Sequence, residues 1–186
     1  INPMEMGRIL DSYLEMWTDY NSARNEDMGK AFAEFYLKQH PDAKRTESGL
    51  IYRILRHGNG RYATSLEDTV VVDYKGFLIS GEEFDANEES EFSLGVVISG
   101  WGEGLQLVDE GGSIDLVIPG DLAYGEYGGR GIEPNSTLNF KVKLREVKRY
   151  VEAVESEENT VQEEEARKLN CVLFKDKEEQ AGVWYS

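Results

Sequence analysis

The sequence predicts an α+β protein, a helical segment followed by one sheet domain, and three observations predict it. Apolar residues recur at three- and four-residue steps between residues 3 and 40. From Leu50 the pattern changes to short runs rich in branched and aromatic residues, divided by glycines and charged turns. The last of those runs alternates strictly between apolar and polar.

In the first segment Met6, Ile9, Leu10, Tyr13, Leu14, Trp17 and Tyr20 fall on one helical face, and Ala31, Phe32, Phe35 and Tyr36 continue the period. Between them Asn21 to Asp27 is polar and offers capping side chains, and Pro41 blocks further helix. The expectation is two helices joined by a short turn. Their aromatic stripe is expected to pack against the domain or a partner helix, with a homodimer interface as the alternative.

The sheet runs are LIYRIL (50–55), TVVVDYKGFL (69–78), SIDLVIP (113–119) and TLNFKVKLREV (137–147). In the last, Leu138, Phe140, Val142 and Leu144 alternate with Asn139, Lys141, Lys143 and Arg145, so one face covers a core and the other meets water. Leu105 and Val108 stand at helical spacing in 101–108, which predicts a turn or two of helix there. Beyond Tyr150 the chain is acidic up to Arg167, which reads as a solvated linker or exposed helix. GLIY at 49–52 is echoed by GVWY at 182–185, so the tail reads as an added strand or the start of a truncated second unit. The domains expected are 1–45 helical, 50–149 the sheet domain, and 150–186 an acidic extension.

Composition narrows the function. With 36 acidic against 20 basic residues and a formal charge of −16, a phosphate backbone would be repelled, so nucleic acid is not an expected partner. One cysteine, Cys171, allows no internal disulfide and supports no zinc site. No stretch has the roughly 18 to 20 apolar residues of a membrane span. A chain opening at Ile1 reads as trimmed, which leaves the compartment open.

Several catalytic signatures fail on inspection. Gly100, Gly102 and Gly104 suggest a dinucleotide loop, but its last glycine would fall at Leu105. There is no phosphate-binding GxxxxGK[ST] loop and no GxSxG serine, and His40 and His57 lack metal-ligand spacing. What remains is a concentration of Tyr74, Phe84, Phe92, Val97, Ile98, Trp101, Tyr124, Ile132 and Phe140 in the glycine-rich middle. Composition alone would make these ordinary core.

Their local order is more specific. VVVDYKGFLISGEEFDAN resembles the strand-turn-strand of the FKBP-type peptidyl-prolyl cis-trans isomerases, with its Tyr74, Phe84 and Asp85. VVISGWGEGLQLVDEGG resembles the family segment in which a Val-Ile pair, Val97 and Ile98, precedes a Trp at the pocket base, Trp101. VIPGDLAYGEYGGRGIEPNSTLNFKVKL resembles the Ala-Tyr-Gly turn, flap loop and last strand, supplying Tyr124, Ile132 and Phe140. The resemblance covers about 100 of the 186 residues. The helices before the domain are similar, more weakly, to those of dimeric bacterial members such as the macrophage infectivity potentiator group.

The resemblance implies a twisted antiparallel sheet of about five strands wrapped around one short helix. It implies rotation about X-Pro bonds of protein substrates in an apolar pocket, with a chaperone or peptide-binding module as the alternative. In that pocket Phe84, Asp85 and Tyr124 would be catalytic: Tyr124 would bond a substrate carbonyl, and Asp85 would orient the edge or face the twisted carbonyl carbon. Tyr74, Phe84, Phe92, Val97, Ile98, Trp101, Tyr124, Ile132 and Phe140 would bind substrate. No metal or organic cofactor is implied. Macrolide inhibitors, a homodimer through the helices, and a bacterial envelope or periplasmic location, with the cytoplasm as alternative, follow as further expectations. The departures are the glycine-rich flap Gly128, Gly129, Arg130 and Gly131, Glu133 where many relatives carry Pro or an apolar residue, and Ser90 where some carry an aromatic.

Overall fold

A computed structural model describes residues 2–150. Helix α1 (Pro3–Gln39) is followed by strands β1 (Lys44–Arg45), β2 (Ile51–Arg56), β3 (Thr69–Leu78) and β4 (Glu83–Ser93), a short helix α2 (Ser99–Gly104), and strands β5 (Ser113–Ile118) and β6 (Leu138–Lys148). The strands form one sheet in the order β1-β2-β5-β6-β3-β4. Every pairing is antiparallel. The α+β class holds, with six strands where about five were expected, the extra one being the two-residue β1.

The predicted alternation in β6 is realised: Leu138, Phe140, Val142 and Leu144 are buried while Lys141, Lys143 and Arg145 are exposed. β5 is buried on both faces, for a physical reason. Ile114, Leu116 and Ile118 join the main core with Trp101 and Leu105. Val117, on the opposite face, packs with Tyr36 and Ile51 beneath α1. The glycines that imitated a dinucleotide loop serve the first of these contacts. A Cβ at Gly104 would meet Leu116 Cδ2 at 2.6 Å, so the bare backbone lets α2 lie directly on β5.

The helical segment differs from expectation: it is one 37-residue helix with no turn at 21–27. The asparagines that would cap an interrupted helix are engaged otherwise. Asn21 Nδ2 donates to the Trp17 carbonyl at 2.8 Å. Asn25 Nδ2 donates to the Pro134 carbonyl at 2.9 Å. With those side chains engaged, nothing competes with the backbone ladder. The helix does stop where Pro41 requires, its last residue being Gln39.

Only the second half of α1 docks on the domain. Asn21, Asn25, Gly29 and Tyr36 are buried on one face. Phe32, Ala33 and Leu37 pack with them against Ile51 and Val117, while Phe35 is exposed. The joint is fastened by polar contacts. Tyr36 Oη donates to Asp115 Oδ2 at 3.2 Å, the His40 ring lies 4.5 Å from the Tyr36 ring, and Arg53 Nε donates to Asp42 at 2.7 Å. The earlier stripe from Met6 to Tyr20 does not pack on the domain; all seven of its side chains are exposed. The acidic segment, the GVWY echo and Cys171 lie outside the described residues.

Candidate active site

The main core opens into a cluster of aromatic side chains where β3, β4 and β6 pass α2. Trp101, in α2, is buried at its centre. Three rings surround it nearly perpendicular to its plane: Tyr74 at 5.0 Å and 84°, Phe92 at 5.4 Å and 88°, and Phe140 at 5.2 Å and 80°. Phe84 meets Phe140 edge-on at 5.6 Å and 83°. Edge-to-face packing sets the positive edge of one ring against the negative face of the next, and such a pair adds about 0.5–1.5 kcal/mol beyond area burial. The two phenylalanines close over Gly76, where a Cβ would lie 2.7 Å from atoms of both rings.

Asp85 reaches this cluster through one bond. Tyr74 Oη donates to Asp85 Oδ2 at 2.8 Å. The β3–β4 register shifts between Val72 and Tyr74 and again between Gly76 and Phe77, on either side of this pair. Burial first, and then the bond to the Asp85 carboxylate, push the Tyr74 phenol up to about 12, so it stays a donor at any physiological pH. Val97, Ile98, Tyr124 and half-buried Tyr74, Phe84 and Phe92 pack against the core cluster that contains buried Trp101, Ile132 and Phe140. All nine side chains expected to bind substrate thus share one apolar neighbourhood, and Asp85 borders it.

Tyr124 and Ile132 come from the loop between β5 and β6. Two 3-10 turns, Gly120–Leu122 and Gly125–Tyr127, lead to its tip. There Gly129 and Ile132 exchange backbone hydrogen bonds of 3.0 and 2.9 Å. Gly128, Arg130 and Gly131 all take positive φ, of 67°, 53° and 80°, so the glycine-rich flap follows from its tight backbone. Arg130 also acts electrostatically on Tyr74, opposing the rise in its phenol.

Two hollows lie away from the rings. One of about 450 Å³ is lined by Gly29, Ala33, Ile51, Val117 and Thr137. A smaller one of about 240 Å³ is lined by Phe32, Phe77, Asn139 and Lys141. Both sit under α1, so ring geometry, and not cavity volume, marks the candidate site. Among the described residues no group of three or more His, Cys, Asp or Glu side chains is placed to hold a metal ion.

Sequence reasoning missed the contacts of α1 with the site-bearing loop. Arg24 Nη2 and Asn25 Nδ2 donate to Glu133 Oε2 at 2.6 and 3.0 Å. Asn135 Nδ2 donates to Ser22 Oγ at 2.7 Å. The signal available was Glu133 itself, a charge beside the flap, but its partners lie more than a hundred positions away in sequence.

A sheet of antiparallel strands against one short helix, with an aromatic cluster at the helix and a flap beside it, defines an FKBP-type isomerase domain. The chain belongs to the FKBP-type peptidyl-prolyl cis-trans isomerase family, whose family model matches residues 60–145. It is 47% identical over 132 residues to the FKBP-type peptidyl-prolyl cis-trans isomerase FkpA of Escherichia coli K12, covering 69% of this chain and 48% of that protein. The crystal structure of FkpA from Escherichia coli superposes with a TM-score of 0.69 at 40% identity, covering 80% of this chain and 74% of that one. A macrophage infectivity potentiator from Trypanosoma cruzi is 41% identical over 126 residues, covering 65% of this chain and 64% of that protein. The chain spans about half the length of the first curated relatives it matches.

Proposed function

We propose that the chain catalyses cis-trans rotation about X-Pro bonds in flexible or unfolded protein segments, and that the cluster around Trp101 receives the prolyl ring. The observation that carries this reading is the packing of four aromatic rings around and beside Trp101, with Asp85 held at their margin by Tyr74.

The chemistry asks for little more than such a surface. Twisting an X-Pro amide breaks its resonance against a barrier of about 18–20 kcal/mol. The planar amide has more charge separation than the twisted one, so a water-poor aromatic surface penalises the ground state more than the transition state. Every 1.36 kcal/mol is about tenfold in rate, so a thousandfold acceleration needs about 4 kcal/mol. In this reading Tyr74, Phe92, Val97, Ile98, Trp101, Ile132 and Phe140 seat the prolyl segment, and Phe84 walls the site. Tyr124 donates to a substrate carbonyl, and Asp85 faces the twisting carbonyl carbon. No step uses a metal or organic cofactor.

The same reading divides the chain into a helical part at 1–45, the catalytic domain at 50–149 and an acidic extension at 150–186. The exposed Met6 to Tyr20 stripe supports a homodimer through α1. Macrolide binding at the rings and a location in a bacterial envelope or periplasm, with the cytoplasm as alternative, belong to the proposal too.

A protease-coupled assay on a short X-Pro peptide tests the function. Intact protein should accelerate isomerisation, and Phe84→Ala should be slower than Cys171→Ser. Failure of intact protein to accelerate the reaction would leave a peptide-binding module or chaperone as the reading, and equal rates in the two variants would remove Phe84 from the site.

A further inference from the structure

Helix α1 touches the isomerase domain at one place where the contact leads directly to site residues. Three consecutive loop residues are held by three residues from a single turn of the helix. Glu133 accepts from Arg24 and Asn25, the Pro134 carbonyl accepts from Asn25, and Asn135 donates to Ser22. One turn further on, Gly29 lies so close to Thr137 that a Cβ there would collide with the threonine hydroxyl. The helix therefore sits directly on the chain that runs from the flap into β6.

The held segment adjoins two site residues. Ile132 immediately precedes Glu133. The Asn135 backbone N–H donates to the Gly125 carbonyl at 2.8 Å, and Gly125 follows Tyr124. Asn135 takes a left-handed φ of 50°, which asparagine accepts more readily than most side-chain-bearing residues. Asn25 is 7% exposed, and its amide meets both Glu133 and the Pro134 carbonyl. The Arg24–Glu133 ion pair is half exposed and so the weaker part of the clamp. Removing Asn25 would leave the Pro134 carbonyl without that donor, which costs more than losing a solvated ion pair.

We propose that Asn25, supported by Arg24 and Ser22, is a positioning residue for the isomerase site: through Glu133, Pro134 and Asn135 it fixes the loop that presents Tyr124 and Ile132. None of these helix residues belongs to the ring cluster, so they act through the loop. Glu133 thereby acquires a purpose, as the acceptor for the docked helix. The proposal rests on the isomerase reading for its activity arm, though not for its structural arm.

The experiment compares full-length variants by kcat/KM on an X-Pro peptide and, without substrate, by amide hydrogen exchange across residues 125–132. Asn25→Ala should lower kcat/KM about tenfold and speed exchange in the loop, the scale of a lost hydrogen bond together with an unsatisfied carbonyl. Asn21→Ala is the control, because its buried amide bonds only the helix's own Trp17 carbonyl; it should move neither quantity more than about twofold. Arg24→Glu, at the surface, should lower kcat/KM about threefold and recover only in part when Glu133→Arg is added, because an arginine restores the exposed ion pair but accepts nothing from Asn25. If folded Asn25→Ala matches Asn21→Ala in both readouts, the proposal is wrong. Should Asn25→Ala not fold, unchanged loop exchange in Arg24→Glu overturns it instead. If wild type does not accelerate isomerisation, the proposed function fails, and the exchange data alone decide the clamp.

Discussion

The Tyr74–Asp85 bond joins a half-buried phenol to an exposed carboxylate at the edge of the ring cluster. Because Asp85 can exchange this donor for water, Tyr74→Phe should change stability by less than about 1 kcal/mol, within the usual net worth of a hydrogen bond. It should nonetheless cut kcat/KM severalfold, since the carboxylate loses its fixed direction. Unchanged turnover in a folded Tyr74→Phe would separate the pair from catalysis. Trp101→Ala belongs to a different mechanism. It empties the middle of four interlocked rings and should cost about 3–5 kcal/mol of stability as well as activity, measured by urea denaturation. The rings were legible in the sequence because their order along the chain is that of a known family. The bond between Tyr74 and Asp85 was not, because its geometry depends on register shifts in a strand pair that no alternation pattern reveals.

At the scale of elements, Asp115, in the joint between α1 and β5, shifts in the opposite sense to Asp109 and Glu110. Burial raises the Asp115 carboxyl and outweighs its bond from Tyr36 and the nearby Lys141, Arg53 and His40. A raised folded value favours folding below the ordinary carboxylate range, and that contribution is lost as pH rises through the raised value. Asp109 and Glu110 behave conversely. Backbone N–H donors from Gly58 and Val147 respectively hold them low, so their contribution is present above the ordinary range and lost as pH falls through their lowered values. Asp115→Asn keeps an acceptor for Tyr36 and removes the titration. The variant should therefore gain stability relative to wild type as pH rises from about 4 towards neutrality, in urea midpoints taken at each pH. A difference independent of pH would mean that Asp115 does not titrate in this window. Sequence reading located the runs of β2, β3, β5 and β6 and the stop at Pro41, since period and proline act locally, but not β4, whose mostly exposed, charged residues make no apolar run. It read a break at Asn21–Asp27 because capping residues look alike whether they end a helix or bond a distant loop. It could not see that β5 is covered on both faces, because that coverage comes from two helices far apart in the chain.

At the scale of the whole molecule, the first five turns of α1 carry an apolar stripe that the domain does not cover. In proteins most helical stability comes from tertiary packing of an amphipathic face and not from propensity alone. Here Met6, Ile9, Leu10, Tyr13, Leu14, Trp17 and Tyr20 are between 44 and 67% exposed, so the described chain supplies no such packing. The stripe follows the 3.6-residue period, so in the proposed homodimer a second copy of the same helix would be its self-complementary cover. Leu10→Glu combined with Leu14→Glu places two carboxylates in the middle of that face. On the proposed homodimer, wild type should be dimeric by light scattering and the double variant monomeric, with far-ultraviolet helical signal lost as the uncovered turns fray. Its turnover of a short X-Pro peptide should stay within about twofold of wild type, because the substitutions lie nearly two turns or more from Asn21, where docking on the domain begins. A wild-type chain that remains monomeric at tens of micromolar, with residues 3–20 still helical, would show that the stripe needs no second copy.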